Sequence, residues 1–203
     1  MTEFSTKPLG PGTWPDFARL VERHNGVWGG CWCMAFHAEG AGRADPAVRD
    51  HRTEKECLVR DGLTHAALVY DGASCVGWCQ YGTPKELPRI KSRRAYLEGL
   101  AEHPDWRTTC FFVDKSCRRK GVAAAALGGA LQQIARSGGG TVESYPEDIE
   151  GRNVSASFLH NGSLSMFERC GFVRNRRIGK HRWVVSKIVS CDPATDKLGT
   201  LQV

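Results

Sequence analysis

Residues 110–126 read CFFVDKSCRRKGVAAAA. The stretch WRTTCFFVD, closing at Asp114, has a near-continuous apolar end, as a strand near the middle of a sheet does. Three cations, Arg118, Arg119 and Lys120, then meet Gly121. A helical pattern follows at once. In VAAAALGGALQQIARS the larger apolar residues are Val122, Leu127, Leu131 and Ile134. The alanines and glycines between them let the helix lie close to another surface, and the three glycines at 138–140 stop it. A helix that starts after a strand and a tight turn has free backbone N–H groups at its first turn. The helix dipole adds partial positive charge there, and together these bind phosphate. Gly121 lets the backbone approach an anion without a Cβ clash, and Ala123 keeps the next turn small. The stretch therefore reads as a diphosphate cradle. It is not a Walker A loop and not the GxGxxG dinucleotide fingerprint, since both patterns are absent. Taken alone, it fits a helix beginning at a surface turn with solvated cations at least as well.

Working outward, residues 4–8 suit a short first strand. GTWPDFARLVERHNG reads as a helix capped by Thr13 or Asp16 and ended by Gly26. PAVRDHRTEKECLVRDG reads as a second, polar helix, with Asp45 before Pro46 as its start signal and Gly62 as its stop. HAALVYDGASCVGWCQYG is a hairpin turning at Asp71-Gly72. A long connection is partly helical from about Ile90 to Leu100. GTVESYP is a strand ended by Pro146, and a loop follows it. SLSMFERC is a short helix with Ser165 and Glu168 spaced as a capping box, stopped by Gly171. FVRNRRIGKHRWVVSKIV is a second hairpin, turning at Gly179-Lys180. The order predicts an α/β fold, a mixed sheet in one domain over residues 1–189, with 190–203 as a loose tail.

The 203-residue length suits one domain, or one with additions. A chain of this size buries about 70% of its unfolded surface, so it needs no covalent staples. No apolar run is long enough to span a bilayer, and MTEFSTKPLGPG lacks the basic and apolar regions of a signal peptide. Nine cysteines, an odd number with no CxxC pair, suggest neither a disulfide framework nor a zinc ribbon. Several lie in apolar runs, where they behave as small buried hydrophobes. A reducing cytoplasm is the expected setting. The net charge is +6, with cations gathered at 89–94, 115–120 and 174–182. Such clusters meet nucleic acid, meet a phosphorylated cofactor, or stay solvated. The first and third read as solvated faces.

The spacing Arg118-x-x-Gly121-x-Ala123, directly after FFVDKSC, resembles the acyl-CoA-binding motif of the GNAT superfamily of acetyltransferases. SLSMFERCGF resembles that family's second signature, a short helix ending in Gly-Phe. The resemblance covers roughly residues 106–189 and extends to the N-terminal half only in the order of elements. It implies a GNAT-like fold, a central mixed sheet of about seven strands with helices on both faces. It implies acetyl-CoA as cofactor. Phe111, Phe112 and Val113 would lie along the pantetheine arm. Arg119, Lys120, Gly121, Val122, Ala123 and Ala124 would supply the N–H groups that hold the diphosphate. Arg118 is expected to point back into the fold or to the loop. The two central strands of such a fold splay apart, here 108–113 and 141–145. Two departures stand out. The tyrosine that often protonates the leaving thiolate is Phe167 in this chain, and the asparagine seven residues earlier is His160, with Asn161 one later as the cofactor contact the resemblance implies.

The implied reaction moves an acetyl group to an amine by direct attack. It requires a proton acceptor and a donor for the oxyanion, the latter from the backbone N–H of Phe112 or Val113. Glu143 is the candidate base, set against a solvated or arginine-paired role. Tyr145 shares its strand face and is a candidate acid or a packed aromatic. His160 reads as an ordinary loop histidine, with a base or acid role as its alternatives. GVWGGCWCMAFH either walls an acceptor pocket or belongs to the core. A metal site of Cys31, Cys33 and His37 lacks a full ligand set, so no metal is expected. The acceptor is a small-molecule or protein amine, and the basic surface disfavours polycations. No membrane partner is expected, nucleic acid is disfavoured, and a homodimer stays open. A non-catalytic acyl-CoA-binding module is the main alternative to an enzyme. A nucleic-acid-binding protein using the 174–182 hairpin is the lesser one.

Overall fold

The structure, a computed structural model, describes residues 4–38 and 50–192. The expected helix start at Asp45-Pro46 and the tail beyond Asp192 lie outside the described residues. Seven strands form one sheet: β1 (Ser5–Pro8), β2 (His65–Asp71), β3 (Ser74–Gly82), β4 (Trp106–Val113), β5 (Gly140–Ser144), β6 (Val173–Arg177) and β7 (Trp183–Val189). Their order is β1-β2-β3-β4-β5-β7-β6. Every neighbouring pair is antiparallel except β4 and β5, which are parallel. This is the mixed sheet read from the sequence. A parallel pair needs a crossover, and here the crossover is helical.

Among the described residues five α-helices accompany the sheet: α1 (Trp14–Arg23), α2 (His51–Arg60), α3 (Arg93–Glu98), α4 (Val122–Arg136) and α5 (Leu164–Arg169). On one face α1 buries Phe17, Leu20 and Val21 against Leu68, Tyr70, Trp78 and Phe112. Trp78 is the centre of that layer. Its ring stacks on Phe112 at 4.7 Å and meets the edge of Phe17 at 4.9 Å. On the other face α4 and α5 pack Val122, Leu127, Ile134 and Phe167 onto Val69, Val76, Phe111 and Val142. Alternate strand residues thus serve alternate layers, as the period of two requires. The glycines of α4 have a use: a Cβ on Gly129 would come within 2.8 Å of Thr6 on β1.

The helix starts differ in detail from the expected ones. Thr13 stands at the N-cap of α1, but its hydroxyl donates to Pro8 O at 2.7 Å and makes no cap bond. Asp16 lies inside the helix, where it accepts from Tyr70 OH. Asp50 caps α2, accepting from the backbone N–H groups of Arg52 and Thr53. The expected capping box of α5 does not form. Ser163 is its N-cap, two residues ahead of Ser165, and Glu168 binds Arg174 instead. An arginine within reach is a better partner for a carboxylate than one amide N–H.

Truncating Trp78 to alanine removes the contact surface of Phe17 and Phe112 together. Urea unfolding of Trp78→Ala should show a loss of about 3–5 kcal/mol.

Candidate active site

β4 and β5 pair only at Trp106–Val142, Arg107–Glu143 and Thr108–Ser144. Beyond Thr108 they part. The same point carries a register shift against β3, where Gln80 faces Cys110 but Tyr81 faces Thr108. Thr109 is therefore the extra residue of a bulge, which bends the strand locally. Ser144 Oγ donates to Thr108 O at 3.1 Å and pins the last paired rung.

The parting exposes backbone groups that need partners. Phe111 N–H donates to His160 O at 2.7 Å, so it points away from β3 and into the parting. Asp114 N–H donates to Val76 O, which fixes the bonded register of the β3–β4 pair. By alternation Phe112 N–H faces Trp78, and Val113 N–H faces the parting. Of the two expected oxyanion donors only Val113 is aimed at the cleft. Phe111, Phe112 and Val113 thus do not act alike: one amide is held by His160, one by β3, and one faces the opening. On the far lip, Asn161 Nδ2 donates to Tyr145 O at 3.4 Å, while its buried Oδ1 has no protein partner. The pair His160–Asn161 therefore touches both lips.

After β4, Asp114 caps a 3-10 turn over Lys115–Cys117. Its Oδ1 accepts from Ser116 N at 3.0 Å and Ser116 Oγ at 2.8 Å. Its Oδ2 takes Arg23 at 2.7 Å, with His24 Nε2 at 3.2 Å. Burial works to raise the Asp114 carboxyl, but the two Ser116 donors, His24 and Arg23 outweigh it and hold the group below the usual carboxylate range. The turn is thereby tied to the end of α1. Arg119 then takes φ +62° and Gly121 φ +92°, and α4 begins at Val122 with no side-chain cap. A Cβ on Gly121 would meet nothing within 4 Å, so the left-handed φ, not space, calls for glycine here. The first-turn N–H groups of Val122, Ala123 and Ala124 thus have no side-chain cap, an arrangement that suits an anion. Arg118, Arg119 and Lys120 are all exposed around this point. Arg118 is exposed and does not turn back into the fold.

Glu143 is buried, not solvated. Its Oε2 accepts from Tyr96 OH at 2.9 Å and from Tyr145 OH at 3.2 Å. Arg107 Nη2 donates to Tyr96 OH at 3.3 Å, so the arginine reaches Glu143 through a tyrosine. Burial is the main force raising the Tyr145 hydroxyl well above the ordinary tyrosine range, so it stays a donor. Phe167 is fully buried, edge-on to Phe111 at 5.8 Å and to Phe172 at 5.0 Å, and brings no hydroxyl to the cleft. No sequence signal marked Tyr96 and Arg107 as partners of Glu143, because they lie 47 and 36 residues away.

The glycine-rich segment after α1 has a definite form. Six consecutive residues, Asn25, Gly26, Val27, Trp28, Gly29 and Gly30, have φ between 46° and 83°. Cys31 N–H donates to Val27 O at 2.9 Å, closing one left-handed helical turn. Non-glycine residues there cost about 1–2 kcal/mol each. A Cβ on Gly26 would come within 2.7 Å of Gly30 Cα. Trp32 anchors the turn against Trp14 and Phe17. Trp28, at 38% exposure, stands beside Phe112 and His160 at the cleft. Cys33 and His37 are spent in the core. Cys33 Sγ donates to Gln80 Oε1, and His37 Nε2 receives the Gln80 amide at 2.6 Å, with Thr64 and Lys55 close by. Three of the five 174–182 cations are engaged, Arg174 with Glu168, Arg176 with Tyr96 O and Arg182 with Glu147, while Arg177 and Lys180 are exposed.

No known protein family matches the sequence, and no curated protein matches it. Solved structures do match the fold. One is the Corynebacterium glutamicum structure described as histone acetyltransferase HPA2 and related acetyltransferase. It has TM-score 0.53 and 14% identity, over 95% of this chain and 99% of that one. Another is an acetyltransferase of the GNAT family from Desulfovibrio desulfuricans, with TM-score 0.50 and 14% identity, over 93% and 100%. The chain has the fold of the GNAT acetyltransferases.

Burial first, and then the Lys55 charge, press the His37 imidazole down to about 3. The unfolded ring titrates near about 6.5, so the folded protein binds fewer protons between these values. Stability should be full above about pH 6.5 and fall as pH drops toward 3, by up to about 1.4 kcal/mol per pH unit. Denaturant titrations across this range should show the slope, and His37→Asn should flatten it.

Proposed function

We propose that this chain is an N-acetyltransferase that moves an acetyl group from acetyl-CoA to an amine by direct attack in a ternary complex. The observation that carries the reading is the joining of two features on one strand. β4 loses its partner at Thr108, and it leads through a clamped turn into an uncapped, cation-flanked helix start. The residues fit the coenzyme. Arg118, Arg119 and Lys120 with the amides of 121–124 suit a diphosphate, and Val113 N–H suits a carbonyl oxygen in the parting. Phe111 and Phe112 supply apolar surface beside the arm. When bound, acetyl-CoA supplies an activated acyl group as a thioester. The likeness in fold to proteins described as acetyltransferases supports the same reading.

In this reading, the acceptor amine loses a proton toward Glu143, directly or through water, and its nitrogen bonds to the acyl carbon. Val113 N–H stabilises the oxyanion. The carbon–sulfur bond then breaks, and the thiolate takes a proton from water or from Tyr145. Asn161, with its unpartnered Oδ1, contacts the arm. Trp28 and His160 wall the acceptor side. The acceptor is a small-molecule or protein amine, and the net charge of +6 disfavours polycations. Nine free thiols fit a cytoplasmic setting. Among the described residues no helix is long and apolar enough to cross a membrane. With Arg174, Arg176 and Arg182 each holding a partner within the protein, a nucleic-acid partner is disfavoured.

One observation favours a second reading, an acyl-CoA-binding module without turnover. Phe167 leaves the usual acid position without a hydroxyl. Two measurements separate the readings. Isothermal titration should detect acetyl-CoA binding, weakened about tenfold or more when residues 118–120 are changed to alanine. Thiol release across an amine panel should detect turnover. Glu143→Gln should lower that turnover by about 100-fold or more with coenzyme affinity kept. Binding without turnover for any amine supports the module. No binding at all overturns both readings.

A further inference from the structure

Between β3 and β4 the chain runs through residues 83–105, which carry α3. A cavity of about 150 Å³ lies beneath this segment. Its buried part is formed by Ile90, Tyr96 and Arg107, and its exposed part by Arg93, Leu97 and His103. Pro84 and Pro88 stiffen its wall. No acidic side chain lines it.

Arg107 makes the cavity unusual. Its side chain is carried into the protein by the second residue of β4 and is only 3% exposed. Nη1 donates to Leu87 O at 2.9 Å, and Nη2 to Tyr96 OH at 3.3 Å. The guanidinium also lies 5.4 Å from the Tyr96 ring centre. Its Nε–H has no acceptor in the protein. Among the described residues no carboxylate forms an ion pair with it. Glu143 is its cross-strand neighbour on β5, and both side chains bond the Tyr96 hydroxyl, so one buried carboxylate offsets part of the charge. A buried cation costs several kcal/mol unless a counter-charge and hydrogen bonds offset it. Arg176 adds a second guanidinium 5.2 Å from the Tyr96 ring, so the surroundings are cationic. Arg93 at the cavity adds another charge.

We propose that this cavity is a binding site for a small oxyanion, a carboxylate or an inorganic phosphate, with Arg107 as its counter-charge and Nε–H as its donor. The space is ample for several waters, and so for acetate or phosphate. The site is not the coenzyme cradle. Arg107 lies near the start of β4, whereas Gly121 follows its other end, and the six steps from Arg107 to Val113 span about 20 Å. The inference stands on its own and does not rest on acetyl transfer.

Arginine side-chain N–H signals in a ¹⁵N-labelled sample report the site directly. The Nε–H resonance that vanishes in Arg107→Lys is that of Arg107. In the intact chain it should move saturably on titration with sodium acetate or with sodium phosphate, against sodium chloride at equal ionic strength. A response to acetate alone identifies a carboxylate site, and a response to phosphate alone a phosphate site. Leu97→Trp fills the outer part of the cavity from a side chain that is 42% exposed, and it leaves Arg107 intact. It should weaken the response at least tenfold. Should Arg107→Lys fail to fold, the Leu97→Trp comparison decides, with the buried arginine signals followed as a group. No saturable movement with either anion, or an undiminished response in Leu97→Trp, overturns the proposal.

Discussion

The molecule depends on one broken pairing. β4 and β5 run side by side for three residues and then separate, leaving amides of a central strand without a neighbouring strand. Buried backbone groups cannot be left without partners at low cost, so each exposed group must be met by something else. The chain answers at Phe111 with the carbonyl of His160 and at Tyr145 with the amide of Asn161. It leaves Val113 facing the opening. An edge inside a sheet is normally closed by a third strand. Here it is kept open, and a second chain-like molecule with its own donors and acceptors suits it.

Holding such a wedge open requires rigid flanks. On one face Trp78, Phe17 and Phe112 form a continuous aromatic layer beneath α1. The left-handed turn at residues 25–30 is strained, and strain of this kind persists only where surrounding contacts fix it. Trp32, whose backbone N–H donates to Gly26 O, and His51, whose ring meets Gly30 O, provide that fixing. The result is a stiff wall carrying Trp28 and Phe36 against His160. At the other end, the ties from Asp114 to Arg23 and Ser116 join the turn before α4 to α1. The opening and the helix start are therefore braced by the same helix.

Much of this was legible in the sequence, because local signals and the sheet agree. Asp71-Gly72 marked one hairpin and Gly179-Lys180 the other, and both form. The run from Trp106 to Val113 is the central strand its apolar end suggested. What was not legible depends on long-range pairing. Glu143 reads as a lone acid on a strand, but Tyr96 arrives from a different segment to bind it. The 174–182 cations read as a solvated face, and Arg174, Arg177 and Lys180 are exposed, but Arg176 and Arg182 are drawn to Tyr96 and Glu147. Ser165 and Glu168 carry a capping spacing, but Arg174 competes for the glutamate. GVWGGCWCMAFH gave composition without conformation, since no repeating pattern announces a left-handed turn.

The central claim is that the amides of Val113 and of residues 122–124 receive the coenzyme. Hydrogen exchange resolved by residue tests it without any assumption about the acceptor. With saturating acetyl-CoA, exchange at Val113, Val122, Ala123 and Ala124 should slow markedly, while amides of β1 and β2 stay as they were. Unchanged exchange at those four amides, with the coenzyme bound or not, would contradict the account.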